Sequence, residues 1–252
     1  MFQVINMTGD GAEDTFQIPV TDGQLNLLVT EGKAGTAFTL SALKIKKLSD
    51  QPVTNRTIYV GGDSTVCNYY PLNSSKQAGW GQMLPHYIDK HTFQVRNMAS
   101  GGQIARGFRN DGQLEAILKY IKPGDYFMLQ LGINDTNPKH NESEAEFKEM
   151  MRDMIRQVKA KGADVILSTP QGTGRPILLL KASIRLSTDG TGLYFSFSTE
   201  EEKTHLIDLN VLSSAYFTSI GPERTLGLYM DGDTLHPNRA RSTHWHDWLF
   251  RS

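Results

Sequence analysis

The sequence predicts an α/β protein: a parallel β-sheet covered by helices on both faces, preceded by a short β-rich extension. Three observations carry that reading. From residue 56 onward, short apolar runs alternate with helix-period stretches. One of those stretches, 144–161, has an apolar stripe with its own start and stop signals. The residues able to do chemistry also fall just past the ends of the predicted strands, where open α/β sheets place their sites.

Composition bounds the function. The chain has 252 residues, 38% hydrophobic and 21% charged, which suits one full α/β domain plus a small extra piece. A net charge of −1 gives no electrostatic footprint for nucleic acid or an anionic membrane. No apolar run reaches the roughly 20 residues needed to span a bilayer. The one cysteine, Cys67, excludes an internal disulfide and allows a reducing compartment. The segment Met1–Asn6 lacks a basic stretch followed by an apolar core, so no signal peptide is read and a cytoplasmic location is expected. Secretion stays open if a longer chain carries a leader. The sequence leaves the oligomeric state undetermined.

Residues 1–55 read as β. Leu25, Leu27 and Val29 alternate with Asn26, Leu28 and Thr30, and Phe38, Leu40 and Leu43 open a second run ending at Ile45. This is too short for an independent sandwich. From residue 56 the strand candidates are 57–61, 93–97, 126–131, 164–168 and 205–208. Residues 111–121 form a helix closed by Pro123-Gly124. In the helix at 144–161, Phe147, Met150, Met151, Met154, Ile155 and Val158 make one apolar stripe, read as core. Ser143 and Glu146 make a capping box, and Gly162 supplies the stop. Two domains follow: the extension at 1–55 and an α/β domain at 56–252.

Four motifs stand at strand ends. Gly62-Asp63-Ser64 follows the first strand. Ala99-Ser100-Gly101-Gly102 follows the second, and Gly132-Ile133-Asn134-Asp135 the third. Asp233-Thr234-Leu235-His236 lies near the carboxyl end. Each has a plain structural reading as a turn, a helix cap or a surface histidine. Together they supply the parts of nucleophilic catalysis. A serine hydroxyl needs a base, and histidine has the right pKa. The histidine needs an acid to fix its tautomer, and D-x-x-H places Asp233 and His236 on one turn. A tetrahedral oxyanion needs preorganised donors, and the Ser64 and Gly102 amides with the Asn134 side chain offer three. His140, His205, His244 and His246 are weaker candidates, because none follows an aspartate at this spacing.

On these residues the chain resembles the SGNH (GDSL-type) hydrolases over residues 56–240. Within them it is most similar to rhamnogalacturonan acetylesterases, through Asp63-Ser64-Thr65, Gly79-Trp80-Gly81, Asn97-x-Ala99 and Gly102-x-x-Ala105-Arg106-x-Phe108. The resemblance implies a three-layer flavodoxin-like fold and ester hydrolysis without a metal or other cofactor. It also implies Ser64 as nucleophile, Asp233 and His236 as its partners, and Ser64, Gly102 and Asn134 as the oxyanion hole. The expected substrate is an acetylated oligosaccharide or polysaccharide of the rhamnogalacturonan type. Asp63, Thr65, Trp80, Arg106 and Phe108 are candidate substrate contacts, and Tyr69 and Tyr70 could line the same cleft. The N-terminal stretch resembles the last strands of a galactose-binding-like sandwich. Acetylxylan or general short-chain esterases share these blocks and remain the nearest rivals. A carbohydrate-binding protein on an inactive hydrolase scaffold is the rival of another class. A nucleotide-binding flavodoxin-like protein is opposed by the lack of a Gly-rich phosphate loop after the first strand.

Two stretches break the pattern. Residues 172–198 read as a β-hairpin where a crossover helix belongs. Residues 241–252 carry Trp245 and Trp248 where the family would have a terminal helix. Local reading-frame shifts would explain both, the ordinary frame resuming by Glu200-Glu201-Glu202. An unusual insertion with a shortened tail is the alternative. Without a terminal helix behind it, the loop carrying Asp233 and His236 is expected to be loosely held.

Overall fold

The computed structural model describes residues 56–72, 74–89, 92–173 and 202–239, with short pieces at 20, 23–25, 27 and 40–47. Most of the β-rich reading of 1–55, the hairpin reading of 172–198 beyond Thr173, and the tail 241–252 lie outside the described residues. Residues 40–47 enter no strand, and Leu40, Leu43 and Ile45 are exposed.

Among the described residues, five strands form one parallel sheet: β1 (Arg56–Gly62), β2 (Phe93–Asn97), β3 (Tyr126–Gln130), β4 (Asp164–Ser168) and β5 (His205–Ile207). Their spatial order is β2-β1-β3-β4-β5, with Val60 opposite Asn97, Tyr59 opposite Phe127, and Phe127 opposite Val165. This is the flavodoxin-like doubly wound order, and its switch point lies between β1 and β3. The crevice beyond their carboxyl ends is where the order reverses.

Side chains alternate across the strands with period two. Tyr59, Phe127, Leu129, Val165 and Leu167 enter one core, while Ile58, Val60 and Met128 enter the other. The first core is closed by α2 (Ala105–Asn110), α3 (Gln113–Tyr120) and α4 (Glu144–Ala160). The second is closed by the single turn α1 (Trp80–Met83) and by α5 (Leu209–Ile220), with α6 (Pro222–Leu226) following it. Three layers result.

The α4 helix forms for the reasons its sequence gives. The Ser143 hydroxyl accepts from the Glu146 amide at 3.3 Å, and the Glu146 carboxylate accepts from the Ser143 amide at 2.8 Å. The six apolar residues of its stripe are all buried, each contributing roughly 1.5–3 kcal/mol before chain entropy is subtracted. The helix expected at 111–121 is shorter. Its first two residues belong to a break between α2 and α3, because Gly112 sits in the left-handed region at φ +91°. At the sheet's far end, Asp208 leaves β5 to cap α5, its carboxylate accepting from the Val211 amide at 3.1 Å. Among the described residues no helix is long and apolar enough to cross a membrane.

Candidate active site

Ser64 stands two residues beyond β1, on a turn built by its neighbours. The Val66 and Cys67 amides both donate to the Asp63 carbonyl, at 3.1 and 3.0 Å. The Tyr69 hydroxyl donates to the Ser64 carbonyl at 2.7 Å. The turn closes tightly on the strand end, since a Cβ at Gly62 would lie 2.6 Å from a Val66 methyl and 2.8 Å from the Gln130 carbonyl. Only glycine fits there.

The distant Asp233-x-x-His236 turn arrives beside it. His236 Nε2 lies 2.9 Å from Ser64 Oγ, and His236 Nδ1 lies 2.6 Å from Asp233 Oδ2. The second carboxylate oxygen of Asp233 accepts from the Leu235 and His236 amides, at 2.7 and 3.2 Å. Burial alone would raise the Asp233 carboxyl. These two amides and the His236 ring outweigh it, so the group sits below its ordinary value and stays ionised.

The loop carrying Asp233 and His236 has several contacts among the described residues. The Met230 amide donates to the His236 carbonyl at 2.9 Å, and the Asn238 amide donates to the Leu228 carbonyl at 3.0 Å. The Asn238 side chain donates to the Gly227 and Tyr229 carbonyls at 2.9 and 3.0 Å. The Arg239 amide reaches the Lys76 carbonyl at 2.6 Å, and Gln77 and Asn238 form an antiparallel bridge. Within the described residues these bonds tie the loop to 76–77 and to 227–230.

The three expected oxyanion donors lie on the loops after β1, β2 and β3. Among the described residues the Ser64 and Gly102 amides have no acceptor. Gly102 takes a left-handed conformation at φ +71°. The Asn134 amide donates one N–H to the Gln103 carbonyl at 3.0 Å, which leaves its second N–H. That bond ties the loop after β3 to the loop after β2. Asp135 ties them again, accepting from the Ala105 amide at 2.6 Å and the Gly132 amide at 2.8 Å.

Most of the residues proposed to touch substrate do something else. Trp80 is 1% exposed and Phe108 is fully buried, so neither can stack on a sugar. Tyr69 and Tyr70 are buried as well. Phe108 stacks on Phe127 inside the first core, with ring centroids 6.0 Å apart. Trp80 Nε1 donates to Gln130 Oε1 at 2.9 Å, Gln130 Nε2 donates to the Thr65 hydroxyl at 2.7 Å, and that hydroxyl donates to Asp63 Oδ1 at 2.8 Å. This fully buried chain of hydrogen bonds lies under the serine turn. Asp63 and Thr65 thus build the turn and do not face a ligand. Burial pushes the Asp63 carboxyl up to about 6 against the two Thr65 hydrogen bonds. Arg106 is half-exposed, and its guanidinium is drawn toward Glu142 and Glu146 at 3.8 and 3.7 Å.

Sequence reasoning missed Gln130 and the anchoring role of Asp135. The signal for Gln130 was present, a lone amide in an otherwise apolar run. A buried polar group in such a run must have partners. Among the described residues no group of three or more His, Cys, Asp or Glu is placed to hold a metal ion.

A family model described as GDSL-like lipase/acylhydrolase matches residues 60–240. The chain belongs to the GDSL-like lipase/acylhydrolase family. A second model, beta-agarase/YXIM esterase-like, galactose-binding domain-like, matches residues 1–46. The chain is 87% identical over 242 residues to an uncharacterized esterase, YxiM, of Bacillus subtilis (strain 168). That match covers 95% of this chain and 63% of the relative, so the chain spans less than two thirds of that protein's length. It is 33% identical over 184 residues to a probable rhamnogalacturonan acetylesterase, YesY, of the same organism, covering 71% of this chain and 82% of the relative. The crystal structure of the B. subtilis YxiM protein superposes with a TM-score of 0.87 at 81% identity, covering 99% of this chain and 70% of that one. The acetylxylan esterase Axe2 of Geobacillus stearothermophilus superposes with a TM-score of 0.59 at 17% identity, over 79% of this chain and 94% of that one, and shares the fold.

Proposed function

We propose that this chain is a serine esterase that removes O-acetyl groups from a plant cell-wall polysaccharide of the rhamnogalacturonan type. The observation that carries the reaction type is the aligned relay of Ser64 Oγ, His236 Nε2 and Nδ1, and Asp233 Oδ2, at 2.9 and 2.6 Å. His236 Nε2 takes the Ser64 proton as Oγ attacks the acetyl carbonyl. The new oxyanion faces the Ser64 and Gly102 amides and the second N–H of Asn134. The imidazolium returns its proton to the departing sugar alcohol, which leaves an acetyl-serine. A water then gives its proton to His236 and attacks that ester, and the imidazolium returns the proton to Ser64 Oγ as it leaves, releasing acetate and restoring the serine.

The sugar class is supported by the 33% identity to a probable rhamnogalacturonan acetylesterase over most of both chains. The aromatic residues first considered for sugar stacking lend it no support, since they are buried. The test is acetate release from a panel of acetylated rhamnogalacturonan and acetylated xylan fragments, with wild type and Ser64→Ala side by side. Serine-dependent release that favours rhamnogalacturonan is expected. Serine-dependent release that favours xylan overturns the substrate but keeps the esterase.

A further inference from the structure

We propose that Gln171 is a positioning residue for the triad, acting on Asp233 through the peptide group that joins Leu235 to His236. The inference rests on the esterase reading above. Gln171 lies three residues beyond β4 and is 3% exposed. Its Nε2 donates to the Leu235 carbonyl at 2.7 Å. The N–H at the other end of that same peptide group, on His236, donates to Asp233 Oδ1. Loading the carbonyl with a donor polarises the peptide and strengthens its N–H as a donor, because hydrogen bonds in a chain reinforce one another. Gln171 therefore tightens one of the bonds that keep Asp233 ionised and aimed at His236 Nδ1.

The anchor itself is rigid. The next residue, Gly172, is held on both sides: its amide donates to the Ser213 hydroxyl at 2.8 Å, and its carbonyl accepts from the Tyr229 hydroxyl at 2.9 Å. The tether thus runs from the end of a central strand to the middle of the catalytic turn, across 64 residues of chain.

The residue type is informative as well. Gln171 Oε1 is buried and has no donor among the described residues. An unmet buried carbonyl is a cost that an apolar side chain of similar volume would not carry. Packing alone would favour leucine or methionine at this place. The amide is explained by the bond that the described residues show, the one to the Leu235 carbonyl. A flipped amide would set oxygen against oxygen there, so the orientation is fixed.

The test is a double-mutant cycle on p-nitrophenyl acetate, with Gln171→Met, Asp233→Asn and the pair, each checked for folding by circular dichroism. Wild-type turnover and its loss in Ser64→Ala first establish that hydrolysis runs through the serine, so failure of that reading is seen separately. Gln171→Met should lower kcat roughly tenfold with KM unchanged, the size expected for losing one buried hydrogen bond from the transition state. In the Asp233→Asn background it should add less than about twofold, because its route of action is already removed. Gln171→Asn keeps a buried amide but draws it back by one methylene, and it carries the same cycle if the methionine variant does not fold. A folded variant with unchanged kcat, or a full tenfold loss repeated on top of Asp233→Asn, overturns the proposal.

Discussion

Asp135 holds the Ala105 amide at 2.6 Å across 30 residues of chain, and its other oxygen holds the Gly132 amide at 2.8 Å. One carboxylate thus joins the turn after β3 to the first turn of α2, and both segments border the expected oxyanion donors. Removing it strands two buried amides. Asp135→Ala should cost about 3–6 kcal/mol of stability, the sum of two charge-assisted hydrogen bonds at about 1.5–3 kcal/mol each. Urea denaturation followed by fluorescence measures this, and a loss below about 0.5 kcal/mol would contradict the anchoring role.

Asn134 should matter to the rate more than to binding. Its second N–H has work only when a negative oxygen develops. Asn134→Ala is expected to lower kcat by about 10²–10³ and to leave KM nearly unchanged. Steady-state kinetics on p-nitrophenyl acetate decides it; a change confined to KM would assign Asn134 to substrate binding instead.

The buried chain from Trp80 through Gln130 and Thr65 to Asp63 makes a prediction about stability. Gln130→Leu leaves the Trp80 indole N–H and the Thr65 hydroxyl without their partner, and should cost about 2–4 kcal/mol. Because the chain lies beneath the serine turn and not in the cleft, preference among acetylated sugars should not move. A changed preference in a folded Gln130→Leu protein would restore Trp80 and Thr65 as substrate contacts.

Glu142 provides a pH test. Its side chain is 1% exposed and lies beside Asp135 and Arg106. Burial first, and then the hydrogen bond to Asp135 and its charge, push the Glu142 carboxyl from 4.5 up to about 7, with Arg106 pulling the other way and Glu146 adding to the rise. The folded protein therefore holds this proton more tightly than the unfolded chain does. The stability so gained is fully present below pH 4.5 and is lost as pH rises through about 7. Glu142→Gln keeps a neutral group in place, so the Tm difference between variant and wild type should grow in the variant's favour from about pH 5 to about pH 8. Parallel Tm curves would show that Glu142 does not titrate in this window.

Much of this arrangement was legible in the residues. The strands, the stripe of α4 and its capping box follow from local chemistry, and the structure places them within a residue or two of the expected bounds. The meeting of Ser64 with His236 and Asp233 was legible in part: Ser64 follows a strand and the D-x-x-H spacing pairs the other two, but that last motif follows α6 and not a strand end as expected. The Gly112 break was not read, because a single glycine inside a helix-period stretch gives a weak signal until its φ is seen. The side-chain directions of Trp80 and Phe108 were also out of reach. An aromatic residue beside glycines looks alike whether it faces a cleft or a core, and only the sheet's packing separates the two. The ties from Gln171 and Asp135 join positions 64 and 30 residues apart, and no local pattern announces them.

The role of Ser64 is tested by the rate of p-nitrophenyl acetate hydrolysis by Ser64→Ala, compared with wild type at equal concentration and equal Tm. Ser64 Oγ lies 2.9 Å from His236 Nε2, and no other hydroxyl within the described residues bonds to that ring. Activity should disappear while the fold persists. A folded Ser64→Ala protein that hydrolyses the ester at the wild-type rate would contradict that role.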